Sequence, residues 1–411
     1  MYLIDIIKKN KFLFSYGLVE SLAKGLNVLA ILCLAIVSNL EIYAEIAILI
    51  ASELLFVELI LAGQQKVALR FINKGKKNVE KIISQCSKIL FIVFIIIFVF
   101  FAILPSNVFI FFLKEDLKII YLLLIFGSFL TAIINLNLYR LRKENRVYDY
   151  AVLRILFQVF KFLLCISLMY VFHNSITYPI AIIITCLFVF GYGAIRSDIF
   201  QYIKNIIHHE YNIEHLKFGT PLMFHAIAGI LYGQLGRFML NVLSTSEDLA
   251  TYHFNVTLGM TSFFVVNVAG LYYTPKIYEG ENYDDSSKSN LKKFLNLSLL
   301  GSTFTSLIII FIVYPIALTF VPSEYQAGST VLYLSCLLIW FSCFSNFAVY
   351  KATALKIVKI IPVVTIVSLL ISFFLNYTLI PIYGGVGAIT SILLSEIFFI
   401  IALLLWLKQY D

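Results

Sequence analysis

The chain is 411 residues long, 61% hydrophobic and only 13% charged, with a formal net charge of +8. Apolar stretches long enough to cross a bilayer use well over half of it, which leaves little chain for a soluble domain. The positive excess needs no nucleic acid to explain it, because loops on one side of a membrane collect Lys and Arg that meet anionic lipid headgroups.

About twelve apolar stretches are centred near Ile31, Leu54, Ile95, Ser128, Leu163, Leu187, Ile230, Phe264, Leu307, Trp340, Leu369 and Phe399. Most are about 20 residues long, the length that a ~30 Å hydrocarbon core requires of a helix. With the N-terminus placed in the cytoplasm, 25 of the 31 Lys and Arg fall on the cytoplasmic side, Lys114 and Lys118 fall outside, and four lie within spans. The expectation is a single all-α membrane domain over 1–411 with both termini cytoplasmic.

The first stretch starts basic but has no short apolar core ending in a small-residue cleavage site, and it carries Glu20 and Lys24, so it is read as a retained helix. Lys24 stands one helical turn after Glu20, where the acid can neutralise it. The second stretch holds Glu53 and Glu58, five residues apart and therefore about 140° apart around a helix, which makes no carboxylate dyad. Lys74-Gly75-Lys76-Lys77 and the basic run from Leu138 to Arg146 are surface orientation signals. Between them, the loop around Pro105–Asp116 is the longest on the outer face, a dozen residues or so.

Arg154 and Lys161 share the fifth stretch, seven residues and so about 10 Å apart on one face. Arg154 is near enough to the cytoplasmic end to snorkel, whereas Lys161 lies near the midplane. The cytoplasmic stretch Ser197–Lys217, with His208-His209-Glu210, divides the spans six and six and is read as a solvated loop rather than a metal site.

The second half starts like the first. Tyr16-Gly17 and Phe218-Gly219 each precede an apolar helix that ends in a short outer turn, Asn39–Tyr43 in one case and Ser244–Asp248 in the other. A parallel repeat follows, with six-helix bundles over 1–200 and 215–411 around a central cavity. Arg237 lies in the seventh stretch beside Gly233 and Gly236, too deep to reach a headgroup, and Glu396 lies in the last. His225 and His253, near helix ends, read as hydrogen-bonded structural residues. The six cysteines (Cys33, Cys86, Cys165, Cys186, Cys336 and Cys343) have no C-x-x-C spacing and read as packing residues. No metalloprotease, nucleophile-elbow or P-loop motif occurs, so the chain is not read as an enzyme or as an ATPase.

Three segments carry a resemblance. Phe218-Gly219-Thr220-Pro221-Leu222 with Gly236-Arg237-Phe238-Met239-Leu240 and Ala250-Thr251-Tyr252 resembles the seventh helix and outer turn of oligosaccharidyl-lipid flippases in the multidrug/oligosaccharidyl-lipid/polysaccharide exporter superfamily. Tyr314-Pro315 with Pro322 to Ala327 resembles the end of their ninth helix. Leu375 to Ala388 is similar to the hairpin between helices 11 and 12, where Pro381 is expected to end one helix and the glycines to turn the chain. Within the superfamily the chain looks most like the Wzx-type O-antigen or capsule repeat-unit flippases. Gly236 departs from members with an acid before the arginine.

The resemblance implies a MATE-like fold and translocation of an undecaprenyl-diphosphate-linked oligosaccharide to the outer leaflet for O-antigen, lipopolysaccharide or other polysaccharide assembly. It implies lipid, polymerase and chain-length regulator partners, no cofactor, and room for coupling to a proton or sodium gradient. Lys24, Arg154, Lys161 and Arg237 would form a cationic ladder for the diphosphate. Glu20, Glu53, Glu58 and Glu396 would be charge partners or ion carriers. A multidrug exporter of the same fold is the alternative. An O-antigen polymerase is the rival from another class, and it would need an outer catalytic loop that this chain lacks.

The orientation is testable by scanning: Phe111→Cys should react with an impermeant reagent applied outside intact cells, and Lys76→Cys should not. The reverse pattern inverts the topology.

Overall fold

The computed structural model describes residues 11–72, 76–104, 118–196, 213–278, 284–355, 357 and 359–410. Among them every regular element is helical. In chain order these are α1 (Lys11–Val37), α2 (Leu40–Leu61), the short α3 (Gln64–Phe71), α4 (Lys76–Ile103), α5 (Lys118–Lys143), α6 (Val147–Phe172) and α7 (Thr177–Arg196). There follow α8 (Ile213–Leu243), α9 (Ser246–Met260), α10 (Phe263–Ile277), α11 (Asp285–Ile308), α12 (Ser329–Ala354) and α13 (Ile360–Leu407).

Each of the expected apolar stretches falls in helix, but eight helices meet the length and hydropathy needed to cross a membrane, or nine if the bent pair α9–α10 is one span. The shortfall has physical causes. α2 carries Glu41, Glu45, Glu53 and Glu58, the apolar part of α7 is short, and α13 holds two expected spans on either side of its break at Gly384. Large apolar side chains such as Ile96, Phe100, Leu300, Phe304 and Phe311 are exposed along these helices, the surface a multi-pass membrane protein presents to lipid.

The helices form two compact units, Met1–Ala44 with Leu231–Asp411 and Glu45–Ile230. These bounds differ from the chain-order halves 1–200 and 215–411, because α1 packs against α9 and α10. In the first unit one core joins α10, α11 and α12 around Phe294 and Ile339, and another joins α12 to α13 around Leu403 and Ala348. Five of the six cysteines are buried, with Cys343 against Ser302 and Cys186 against Thr131.

Helix breaks occur where other parts of the protein cover them. Pro381 does not end its helix as expected: it sits inside α13, and the break comes three residues later at Gly384 (φ 52°, ψ −130°). A side chain there would meet the Asp248 carboxylate at 2.7 Å. The other proline motif bends its helix through a π turn, Ile309–Val313, before Tyr314–Leu318. Pro315 lacks the N–H that a regular turn needs, and the wider turn absorbs the loss. Pro322 then leads into a 3-10 turn, Ser323–Gly328, whose Tyr325 is fully buried and whose Tyr325 carbonyl accepts from Asn255 Nδ2 at 3.1 Å.

In the second unit the turn from α2 to α3 uses left-handed Ala62 and Gly63 (φ 47° and 72°). α8 crosses so closely that a Cβ on Gly63 would lie 2.2 Å from the Gly219 carbonyl oxygen. Gly63→Ala should therefore lower thermal stability and membrane yield by more than the ~1 kcal/mol of an ordinary glycine change, because both φ and space forbid the side chain. Gly25→Ala, where nothing lies within 4 Å, should leave both unchanged. Thermal melts of the two purified variants in detergent check the contrast.

Candidate substrate and ion sites

α2, α6 and α7 bring three polar side chains together inside the second unit. Lys161 Nζ lies 2.7 Å from Glu53 Oε2 and 2.9 Å from Oε1, Tyr178 donates its hydroxyl to the same Oε2, and Lys161 sits 5.2 Å from the Tyr178 ring centroid. The Lys161 and Glu53 side chains are 14% and 7% exposed. An ion pair so enclosed satisfies both charges with short charge-assisted bonds, and the hydroxyl takes up a remaining acceptor site. Lys161 is thus bound to Glu53, one of the acids expected as charge partners. Its acid comes from 108 residues away, where no spacing rule along α6 could find it.

Arg237 is also internal, 9% exposed within the first unit. Its Nε donates to His253 Nδ1 at 2.9 Å, and one Nη donates to Gln234 Oε1 a turn earlier on α8. Gly236 serves a close approach: a Cβ there would meet the Tyr252 hydroxyl at 2.8 Å, whereas nothing lies within 4 Å of Gly233. His253, 1% exposed, is the hydrogen-bonded structural histidine that its position suggested. The side chain of Arg237 therefore faces the interior of its own unit.

Glu396, 8% exposed on α13, accepts from the Tyr232 hydroxyl at 3.2 Å. Glu58 is half-buried and accepts from Gln65 Nε2 in α3. Lys24 is different. It is exposed on α1, with Glu20 half-buried one turn before it and exposed Asn27 one turn after it, so a polar stripe runs along a span. Arg154 is half-buried on α6, one face with Lys161.

Of the eight intramembrane charges expected from the sequence, Glu53 and Lys161 meet each other as an ion pair. Tyr178, Gln234 and Tyr232 escaped the sequence reading because neutral residues carry no mark of a buried charge nearby. Gln234 had the one visible signal, its i,i+3 spacing to Arg237. His208, His209 and Glu210 lie outside the described residues, and the His215 ring packs on Phe71 with centroids 4.9 Å apart.

No family model and no curated protein matches the chain. Solved structures do. An inward-facing multidrug resistance transporter of the MATE family, MOP superfamily, aligns with TM-score 0.73 over 94% of this chain and 94% of its own at 13% identity. The lipid II flippase MurJ, in an inward closed conformation, aligns with TM-score 0.71 over 96% of this chain and 87% of its own at 15% identity. A MOP superfamily transporter from Pyrococcus furiosus, described as having a binding pocket of reverse polarity, aligns with TM-score 0.66 over 97% and 95% at 14% identity. At these identities the likeness is one of fold: the chain is an all-α, MATE-like membrane protein.

The Glu53–Lys161 pair gives a stability test. Lys161→Met or Glu53→Gln alone strands one charge and should cost about 3–5 kcal/mol, whereas the double variant should recover most of that loss. Thermal melts of the four proteins, closed as a double-mutant cycle, measure the coupling.

Proposed function

We propose that the protein is a flippase that moves an undecaprenyl-diphosphate-linked oligosaccharide repeat unit from the cytoplasmic to the outer leaflet, with access to the two leaflets alternating. The observation that carries this reading is the exposed stripe of Lys24 and Asn27 in the span of α1. An ammonium exposed at that depth is costly against hydrocarbon and favourable toward a polar, anionic guest. A diphosphate with sugars attached is such a guest, since neither part can enter lipid unaided.

Lys24 and Arg154 are the cations assigned to the diphosphate, and Lys161 and Arg237, enclosed by their own partners, act on the structure of their units. The fold likeness to a lipid II flippase supports a lipid-linked substrate, and the sequence motifs around Gly236-Arg237 and Pro381 support a polysaccharide precursor. The Lys and Arg asymmetry supports cytoplasmic termini and hence the direction of transport. Coupling to a proton or sodium gradient is assigned to Glu396, a carboxyl met by the Tyr232 hydroxyl. Polymerase and chain-length regulator partners belong to the same reading.

Deletion of the gene should leave membrane-bound single repeat units on the cytoplasmic face and no surface polysaccharide. A single unit already capped onto its outer acceptor would make the protein a polymerase, and drug sensitivity with intact polysaccharide would make it a multidrug exporter. Lys24→Ala at wild-type abundance should lower surface polysaccharide by about tenfold or more, the scale of one lost charge-assisted contact, and Lys24→Glu should lower it further. Full export by Lys24→Glu removes Lys24 from the substrate path.

A further inference from the structure

Tyr43 stands in the first turn of α2, where the Asn39 carbonyl accepts from its backbone N–H at 2.9 Å and the Asn39 side chain accepts from the N–H of Ile42 at 2.8 Å. Its own side chain is fully enclosed, at 0% exposure. The ring meets the Tyr325 ring edge to face, with centroids 5.7 Å apart, and lies 5.5 Å from the His253 ring. Among the described residues no protein group hydrogen-bonds to its hydroxyl. Ring packing rather than a directional bond therefore holds Tyr43, and such a contact can be broken and remade without stranding a hydrogen-bond partner.

The two walls of this socket are fixed without Tyr43. His253, on α9, accepts at Nδ1 from Arg237 Nε of α8 at 2.9 Å, and Gln234 holds the guanidinium in turn. Tyr325, in the turn Ser323–Gly328, packs on Phe254 with centroids 4.8 Å apart, and its carbonyl accepts from Asn255 Nδ2 at 3.1 Å. Arg237 and Asn255 are thus positioning residues for the socket, which keeps its shape when Tyr43 leaves. The chain around Tyr43, by contrast, passes from one unit to the other. α1 and the start of α2 up to Ala44 belong to the first unit, and from Glu45 onward α2 belongs to the second, where Glu53 meets Lys161. Because α2 is one helix across that point, a displacement of its body reaches the first unit at the turn that carries Tyr43.

We propose that Tyr43 is an aromatic latch. Docked between His253 and Tyr325, it fastens the start of α2 to the first unit; withdrawn, it uncovers that face of α9. The latch is a moving part of the fold, and it does not depend on which cargo the protein carries.

The test uses the full chain purified in detergent and follows how fast one added thiol reacts with a water-soluble maleimide. Ala250→Cys places that thiol on α9 one turn before His253, at a position of 0% exposure. Ala348→Cys, also 0% exposed but in the core between α12 and α13, is the control, and the chain with its native cysteines alone sets the background. Adding Tyr43→Ala should speed labelling at position 250 by about tenfold, the scale of two lost ring contacts, and leave position 348 unchanged. Tyr43→Phe, which keeps the ring, should leave both rates as they are in the wild type. Tyr43→Leu, which keeps most of the apolar volume, reads the same contrast if Tyr43→Ala does not fold. An unchanged rate at position 250 once the ring is gone overturns the proposal. Equal acceleration at position 348 overturns it too, since the whole unit has then loosened, and so does a Tyr43→Phe protein that labels as fast as Tyr43→Ala, since the hydroxyl and not the ring would be the fastening. Failure of polysaccharide export in cells bears on the flippase reading and not on this one.

Discussion

Hydrocarbon offers no hydrogen bonds, and that constraint shapes every element of this protein. Each backbone N–H and C=O within the bilayer must find a partner in the chain, which leaves helices as the only economical way across and restricts irregular backbone to places that other protein covers. The breaks obey this. The left-handed turn at Gly63 lies under Gly219 of α8, the break at Gly384 lies against Asp248, and the turn around Tyr325 is held by Asn255. Close contact and special backbone conformation occur together because the covering chain must reach the break.

The same lack of solvent makes charge compensation the second organising force. Glu53 and Lys161 solve it pairwise, with Tyr178 completing the carboxylate's shell. Arg237 is met by neutral groups, and the contrast between the two units is chemical: a closed ion pair in one, a cation donating to two neutral acceptors in the other. A closed pair resists an incoming anion because Lys161 would have to leave Glu53. Lys24 is exposed on a span, one turn from the half-buried Glu20.

A fold shared with both drug exporters and a lipid II flippase does not choose a substrate, because the helices supply a frame and the side chains on it supply the chemistry. For this chain the discriminating features are the few polar residues on otherwise apolar helices. A cationic drug would be matched by accessible carboxylates. Here Glu53 is paired with Lys161, Glu396 accepts from Tyr232 and Glu58 from Gln65, and α1 carries exposed Lys24 beside half-buried Glu20.

Hydropathy alone located the helical stretches, because burial in lipid acts on each segment separately and leaves its mark in local composition. Charge asymmetry likewise set an expected orientation. Composition could not tell that α13 would continue past Pro381 and break at Gly384, since a proline is tolerated where neighbouring helices restore the lost bond. Least legible were the partners of the buried charges. The sequence named Lys161, Glu53, Arg237 and Glu396 as costly residues in need of compensation, and it was silent on what compensates them. Glu53 reaches Lys161 across 108 residues, and Tyr43 reaches His253 and Tyr325 from the other end of the chain. Only the tertiary structure decides such pairings, because the cost of an unpaired charge is set by the single residue, whereas its relief depends on which helices pack together.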